Sequence, residues 1–328
     1  MNAWGLDRLP RVRLAHLPTP LEPLPRLTDQ MAAAELWIKR DDLTGLATGG
    51  NKARKLEFLA AAALAERADT LITCGAAQSN HARQTAAAAA KLGLAATLVL
   101  RGQELPQMQG NLLLDRLLGA DVVWAQDQPI AERMTEVAAD LRRSGRRPYV
   151  VPYGGSDAIG ASGYAAALAE LLAQSAAQDL AFDSIVVASS SGGTQAGLVV
   201  GARALGYAGR ILGISVDLPA EALRRRVAGL ATETAALLDV NAVFALGDVE
   251  VDDSYVGAGY GMVSQLERGA IQTMAHAEGI LLDPVYTGRA FGGLLDLIGR
   301  GAFPPGQRVL FWHTGGTAGV FGYGSACL

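Results

Sequence analysis

Cysteine is nearly absent from this chain: Cys74, in an apolar run, and Cys327, beside the C-terminus, are the only 2 among 328 residues. Two thiols so placed make no disulfide framework, and such a chain fits a reducing cytoplasm. Histidine is almost as scarce, and the residues at 16, 81, 276 and 313 lack the short spacings of a metal centre, so no metal is expected. Neither sign of charge dominates, with 28 basic against 32 acidic residues and a net charge of −4. The basic clusters Arg142-Arg143, Arg146-Arg147 and Arg224-Arg225-Arg226 are short and free of interleaved aromatics, so they read as solvated helix ends and no nucleic-acid partner is expected. Long uncharged apolar runs are missing too. The alanine runs near Ala60 and Ala86 are interrupted by Glu66 and Lys91 and read as helices, and Met1-Asn2-Ala3-Trp4-Gly5-Leu6-Asp7-Arg8 lacks the basic-then-apolar order of a secretion signal. No membrane partner is expected. There is no Gly-x-Ser-x-Gly elbow, and Ser79 and His81 lie too close in sequence for a triad pair, which leaves little for a hydrolase.

What is present is ordinary for an α/β enzyme, with 50% hydrophobic and 18% charged residues. The length suits roughly two domains and permits burial of about three-quarters of the unfolded surface. Strand-like apolar runs alternate with helix-length segments: 36–39, 70–73, 96–100, 121–124, 148–151, 184–188, 211–216 and 309–312. That alternation predicts an α/β fold of two domains, with parallel twisted sheets flanked by helices. The Pro/Gly-rich stretch from Pro152 to Gly160 is the expected crossing between them.

Ligands of open α/β sheets sit at the carboxyl ends of strands, and the segments with chemical character all follow strands. Gly49-Gly50-Asn51-Lys52 delivers a lysine to the first turn of a helix, where the positive end of the helix disfavours an ammonium and so favours a nucleophilic amine. Lys55, one turn on, serves as the solvated comparison. Ser189-Ser190-Ser191-Gly192-Gly193-Thr194 joins a strand to a helix with small residues whose N–H groups can converge on an anion; lacking a Walker lysine and a dinucleotide fingerprint, it reads as a monophosphate cup. Gln78-Ser79-Asn80-His81 opens another helix. Tyr260 in Gly257-Ala258-Gly259-Tyr260-Gly261, Tyr286 and Thr287 ahead of a late helix, and Thr314 in His313-Thr314-Gly315-Gly316 supply phenols and hydroxyls suited to proton transfer and to a ring nitrogen.

With these motifs, and with Leu17-Pro18-Thr19-Pro20-Leu21-Glu22 and Ile38-Lys39-Arg40-Asp41-Asp42, the chain resembles over nearly its whole length the pyridoxal-phosphate enzymes of fold type II, which are tryptophan synthase β-like. The similarity is to the branch holding 1-aminocyclopropane-1-carboxylate (ACC) deaminase, D-cysteine desulfhydrase and L-cysteate sulfo-lyase. It implies pyridoxal 5'-phosphate as cofactor, a large cofactor-binding domain of residues 1–49 and 161–328, a small domain of residues 50–160, and a homodimer. Lys52 would bond the cofactor, and Ser190, Ser191, Gly192, Gly193 and Thr194 would cradle its phosphate. The Asn80 side chain would meet the phenolic oxygen. Ser79, the Asn80 backbone and His81 would hold the substrate carboxylate, Tyr260 and Tyr286 would lie over the reacting carbons, and Thr287 or Thr314 would face the ring nitrogen.

Departures from the family patterns bear on the substrate. The deaminase type carries a glutamate and a leucine where this chain has Thr287 and Thr314, so the chain looks like the desulfhydrase type. A carboxylate beside the ring nitrogen would keep it protonated; a hydroxyl leaves a weaker electron sink, sufficient when the β-substituent is itself a good leaving group. His81 stands where the deaminases have glutamine and would add a switchable positive charge. Ser190 replaces a glycine, and Thr317-Ala318-Gly319-Val320 replaces a proline-containing run. The expected activity is β-elimination on a small amino acid, D-cysteine first and L-cysteate second, the latter if the hydroxyls of Ser190 and Thr317 face the pocket. ACC deamination, racemisation and cofactor binding without catalysis are the remaining alternatives.

Overall fold

Runs buried on both faces make the central strands, as parallel sheets covered by helices require. The computed structural model describes residues 4–31 and 34–328, so Met1-Asn2-Ala3 of the N-terminal reading lies outside it. The strands are β1 (Leu21–Pro23), β2 (Glu35–Arg40), β3 (Thr70–Gly75), β4 (Ala95–Leu100), β5 (Asp121–Trp124), β6 (Pro148–Val150), β7 (Ser184–Ser189), β8 (Arg210–Ser215), β9 (Glu250–Asp252) and β10 (Arg308–His313). The helices are α1 (Pro25–Met31), α2 (Lys52–Ala65), α3 (Asn80–Leu92), α4 (Gly110–Leu117), α5 (Ile130–Arg143), α6 (Ala158–Ala177), α7 (Gly193–Leu205), α8 (Ala220–Leu237), α9 (Gln265–Glu278), α10 (Thr287–Gly299) and α11 (Thr317–Tyr323).

Two sheets result, a six-stranded one in the order β1-β2-β10-β7-β8-β9 and a four-stranded one in the order β5-β4-β3-β6. Every pairing is parallel except β1 with β2. All eight runs expected as strands are strands. Sequence reading missed β1 and β9, which are three residues each and sit at the sheet edges. Both are marked by edge chemistry rather than by an apolar run: Pro23 in one, Glu250 and Asp252 in the other.

One face of the larger sheet is covered by α6, α7 and α8, through Tyr164, Leu168, Leu198 and Val227 against Ile185, Val187 and Trp312. The other carries α9 and α10, through Met274 and Phe291 against Ile38, Val186 and Phe311. The alanine runs do make helices, α2 and α3, and Ala60, Ala63, Ala82, Ala86, Ala88 and Ala89 bury their small side chains against the four-stranded sheet. Residues Pro152–Gly160 run from β6 of the smaller sheet into α6 on the larger one. Among the described residues no helix is long and apolar enough to cross a membrane.

Beneath α2 lies a charged cluster in which Asp41, Arg54 and Lys39 are buried and only Glu170 keeps some exposure. Asp41, fully buried at the end of β2, accepts hydrogen bonds from Arg54 Nε (2.9 Å) and Nη2 (2.8 Å), Thr19 Oγ1 (2.9 Å), Trp312 Nε1 (2.8 Å) and Tyr164 Oη (2.5 Å). Glu170 of α6 bridges Arg54 (2.9 Å) and Lys39 (2.6 Å). Burial alone would raise the Asp41 carboxyl, but the Arg54 guanidinium outweighs it and holds it below the usual range. The cluster fixes the start of α2 to β2, β10 and α6 at once.

Candidate active site

The lysine loop is built on backbone only glycine tolerates. Gly49 and Gly50 have φ of +72° and +127°, and a Cβ on the first would collide with Asp42 O, on the second with the Gln84 side chain. The chain then turns so that Asn51 N donates to Thr314 O (2.9 Å) and α2 opens at Lys52. Lys52 faces a cleft lined also by Ser79, Asn80, His81, Ser189 to Gly192, Thr194, Tyr286 and Thr314. The cleft lies at the carboxyl ends of β3, β7 and β10, where the alternation of strands and helices put it.

Desolvation lowers the Lys52 amine to about 8, against a hydrogen bond with Lys55 that works the other way. Burial, rather than the helix N-terminus that the sequence suggested, is the main cause of this lowering. About a tenth of such an amine is neutral at pH 7, against about 0.03% at the ordinary lysine value. The reaction of Lys52 with an aldehyde in the cofactor-free protein is therefore expected to reach half its maximal rate near pH 8, the value to which the amine is lowered. A midpoint above pH 10, followed by peptide mapping, would show an unperturbed lysine. Because the folded value lies below the unfolded one, the folded apoprotein binds fewer protons, and this group's contribution to stability improves as pH rises through 8.

Lys55 is not the solvated comparison the sequence suggested. It is fully buried, donates to Gly154 O and Ser156 Oγ (both 3.1 Å), and is held well below its usual value by burial and then by the charge of Lys52. Its ammonium stands at the mouth of the glycine-rich turn: a Cβ on Gly193 would lie 2.9 Å from Lys55 Nζ and 2.7 Å from Ser156 Oγ. Gly192 caps α7 at φ +86°, and Ser191 Oγ is 2.8 Å from Ser156 Oγ. Ser189 Oγ is buried without a partner. A 13-residue helix N-terminus, small residues, an unsatisfied hydroxyl and a desolvated ammonium form a cradle that fits a phosphate monoester. The clue available in the sequence was the spacing of Lys55 from Lys52, which puts both on one side of the first helical turn. Ser190 points elsewhere: its hydroxyl donates to Asp217 (3.0 Å).

At the start of α3, Ser79 Oγ caps the helix by accepting from Ala82 N (3.1 Å), which leaves its proton free to donate. The N–H groups of Asn80 and His81 open the helix with no intrahelical partner, a site for a carboxylate. His81 carries no switchable charge. Its Nε2 lies 2.8 Å from Thr73 Oγ1, which gives its own proton to Val151 O (2.9 Å), so Nε2 is the protonated nitrogen. Burial, then Lys52 and Lys55, hold the ring well below its usual value, and it is neutral at pH 7. Ser79 and His81 share no hydrogen bond, which removes the hydrolase pairing.

Tyr260 and Tyr286 meet with their hydroxyls 2.7 Å apart and rings edge to face. Burial raises both phenols above their usual value, so both remain protonated. The loop carrying Tyr260 is held by the buried Arg289, which donates to Gly259 O (3.0 Å) and Met262 O (2.8 Å) while paired with Glu267 (2.6 Å). Tyr153, which sequence reading did not single out, also lines the cleft. Thr314 stands at the cleft. Thr287 is buried behind it, its hydroxyl donating to Asp283 Oδ1 (2.8 Å) and accepting from Asp283 N (2.7 Å), so it has no proton left for a ring nitrogen. Thr317 does not line the cleft.

This geometry, a depressed lysine beside a phosphate cradle in an α/β cleft, matches what comparison finds. A family model described as pyridoxal-phosphate dependent enzyme matches residues 12–315. A D-cysteine desulfhydrase of Klebsiella pneumoniae (strain 342) is 45% identical over 98% of this chain and 99% of its own. A putative 1-aminocyclopropane-1-carboxylate deaminase of Pyrococcus abyssi (strain GE5 / Orsay) is 43% identical over 98% and 96%. A crystal structure of an ACC deaminase homologue superposes with a TM-score of 0.91 at 43% identity, covering 98% of this chain and 96% of that one. The chain belongs to the pyridoxal-phosphate dependent enzyme family, and pyridoxal phosphate is the cofactor for which its cradle and lysine are built.

Proposed function

We propose that the chain is a carbon–sulfur lyase that converts D-cysteine and water to pyruvate, ammonium and sulfide. The observation that carries this reading is the Tyr260–Tyr286 pair: two neutral phenols with hydroxyls 2.7 Å apart, of which Tyr286 lines the cleft of the activated lysine and Tyr260, outside that lining, is hydrogen-bonded to it. In such a pair one hydroxyl proton is used between the rings and the other is free to pass to a departing sulfur. The cofactor, when bound, supplies an electron sink for charge developing at the substrate α-carbon. Lys52 moves the α-proton, its amine at about 8 being largely matched to neutral pH. Ser79 with the first N–H groups of α3 binds the substrate carboxylate, and Ser191 to Thr194 with Lys55 binds the cofactor phosphate. The same reading takes residues 50–160 as a small domain against 1–49 and 161–328, a division supported by the two sheets, and a cytoplasmic homodimer, its two cysteines being free.

Support for L-cysteate is weaker than the sequence suggested, because the Ser190 hydroxyl is engaged by Asp217 and Thr317 lies away from the cleft. ACC remains the second reading on the strength of the Pyrococcus relative, but the chain has threonine, not a carboxylate, at 287 and 314. The test is a parallel assay of the purified protein with D-cysteine, L-cysteate and ACC. Pyruvate with equimolar sulfide from D-cysteine, faster than keto acid from the others, is expected. Faster sulfite release from L-cysteate or 2-oxobutyrate from ACC would reassign the substrate; loss of optical rotation without keto acid would mean racemisation, and no α-proton exchange in deuterated water would mean binding alone.

A further inference from the structure

Asn80 is expected to meet the cofactor's phenolic oxygen, but an amide can present either an acceptor or a donor, and which one it presents decides the chemistry. A chain of hydrogen bonds settles the orientation. Arg83, buried on α3, has only donors; its Nη1 gives a hydrogen bond to Asn111 Oδ1 (2.8 Å) and its Nη2 one to Gly49 O (2.8 Å). Asn111 is fully buried at the start of α4, and with its oxygen taken its Nδ2 must be the donor, to Gln78 O and to Asn80 Oδ1 (both 3.0 Å). Arg83 Nη1 also reaches Asn80 Oδ1 at 3.5 Å. The Asn80 oxygen is therefore held on the Asn111 side. Its Nδ2 lies on the opposite side, 2.9 Å from where a Cβ on Gly316 would stand, and Asn80 lines the cleft.

We propose that Asn111 is a positioning residue: taking its polarity from Arg83, it holds Asn80 with Oδ1 turned away from the cleft and Nδ2 available as a hydrogen-bond donor to the cofactor's phenolic oxygen. The inference rests on the assignment of Asn80 to that oxygen. A donor there stabilises the phenolate and lowers the proton affinity of the nitrogen bonded next to it, the one formed by Lys52. Reversing the amide would put a carbonyl against the phenolate and raise that affinity.

Asn111→Asp tests this at nearly constant volume. An aspartate keeps the acceptor for Arg83 but has no N–H for Asn80, so the Asn80 amide turns to donate to it. In the holoenzyme the pH at which the visible band of the lysine-bound cofactor titrates is expected to move up by about one unit or more, a tenfold change in proton affinity. Because the new carboxylate acts through space as well, the same substitution is made in an Asn80→Ala background, where the shift is expected to vanish. Asn111→Ser, which retains a hydroxyl to accept from Arg83 but is too short for Asn80, provides a second, uncharged route to the same non-additivity should the aspartate variant not fold. If Asn80→Ala leaves the titration where it was, the assignment of Asn80 is wrong. If Asn80→Ala shifts it, but the Asn111 variants do not, or shift it equally with and without Asn80, the positioning role is overturned.

Discussion

Lys52→Ala is expected to lose at least about 10⁴-fold in lyase turnover, because one side chain supplies both the bond to the cofactor and the base at the α-carbon. Borohydride reduction of the variant should leave no cofactor attached at position 52. The informative comparison is Lys55→Ala. Both amines are desolvated and each lowers or bonds the other, so composition and burial do not by themselves say which is the nucleophile. Lys55, though, is spent on Gly154 O and Ser156 Oγ beside Gly193. Its loss should weaken cofactor binding and still permit reductive trapping on Lys52. Trapping on Lys55 in the wild-type protein, found by peptide mapping, would reverse the two assignments.

Asp41→Ala is expected to cost about 3–5 kcal/mol of folding stability, measured as a fall in the denaturant midpoint of the apoprotein. The magnitude follows from what is left behind. Asp41 and Glu170 balance Lys39 and Arg54 in a cluster where Asp41, Arg54 and Lys39 are all but inaccessible. Without Asp41 two buried cations share one carboxylate, and Trp312 Nε1 and Tyr164 Oη lose their acceptor. Glu221→Ala, which breaks only the exposed pair with Arg225, should leave the midpoint almost unchanged. An equal response from the two variants would show that the Asp41 cluster is relaxed by water. Since the cluster anchors the first turn of α2, cofactor affinity should fall with stability in Asp41→Ala.

The six central strands, β2, β3, β4, β7, β8 and β10, were legible because burial on both faces leaves an apolar run, whereas the edge strands β1 and β9 were not, since three residues at a sheet edge need no such run. The glycine-rich turn and the Gly49-Gly50-Asn51-Lys52 loop were legible for a related reason: backbone at positive φ, or pressed against a neighbour, restricts the residue type, and the restriction shows in the sequence. Orientation and charge state leave no such mark. Thr287 and Thr314 look equivalent as letters, yet one is tied to Asp283 behind the cleft and the other lines it. Ser190 was grouped with the cup, and its hydroxyl is held by Asp217. His81 is titratable in a peptide and is neutral here, because it sits in the same desolvated space as two lysines.

By itself, then, the sequence yielded a reading of the α/β architecture from the spacing of apolar residues, of the family and cofactor from its resemblance to known enzymes, and of Lys52 as the candidate reacting lysine from the glycine pair before it. Only the tertiary structure decided why that lysine is activated, that Lys55 belongs to the phosphate cradle, which threonine faces the cleft and which way the Asn80 amide points. These are properties of desolvation and of hydrogen bonds between residues far apart in the chain, such as Asn111 with Asn80 or Lys55 with Gly154, and such partners are fixed only when separate elements pack together.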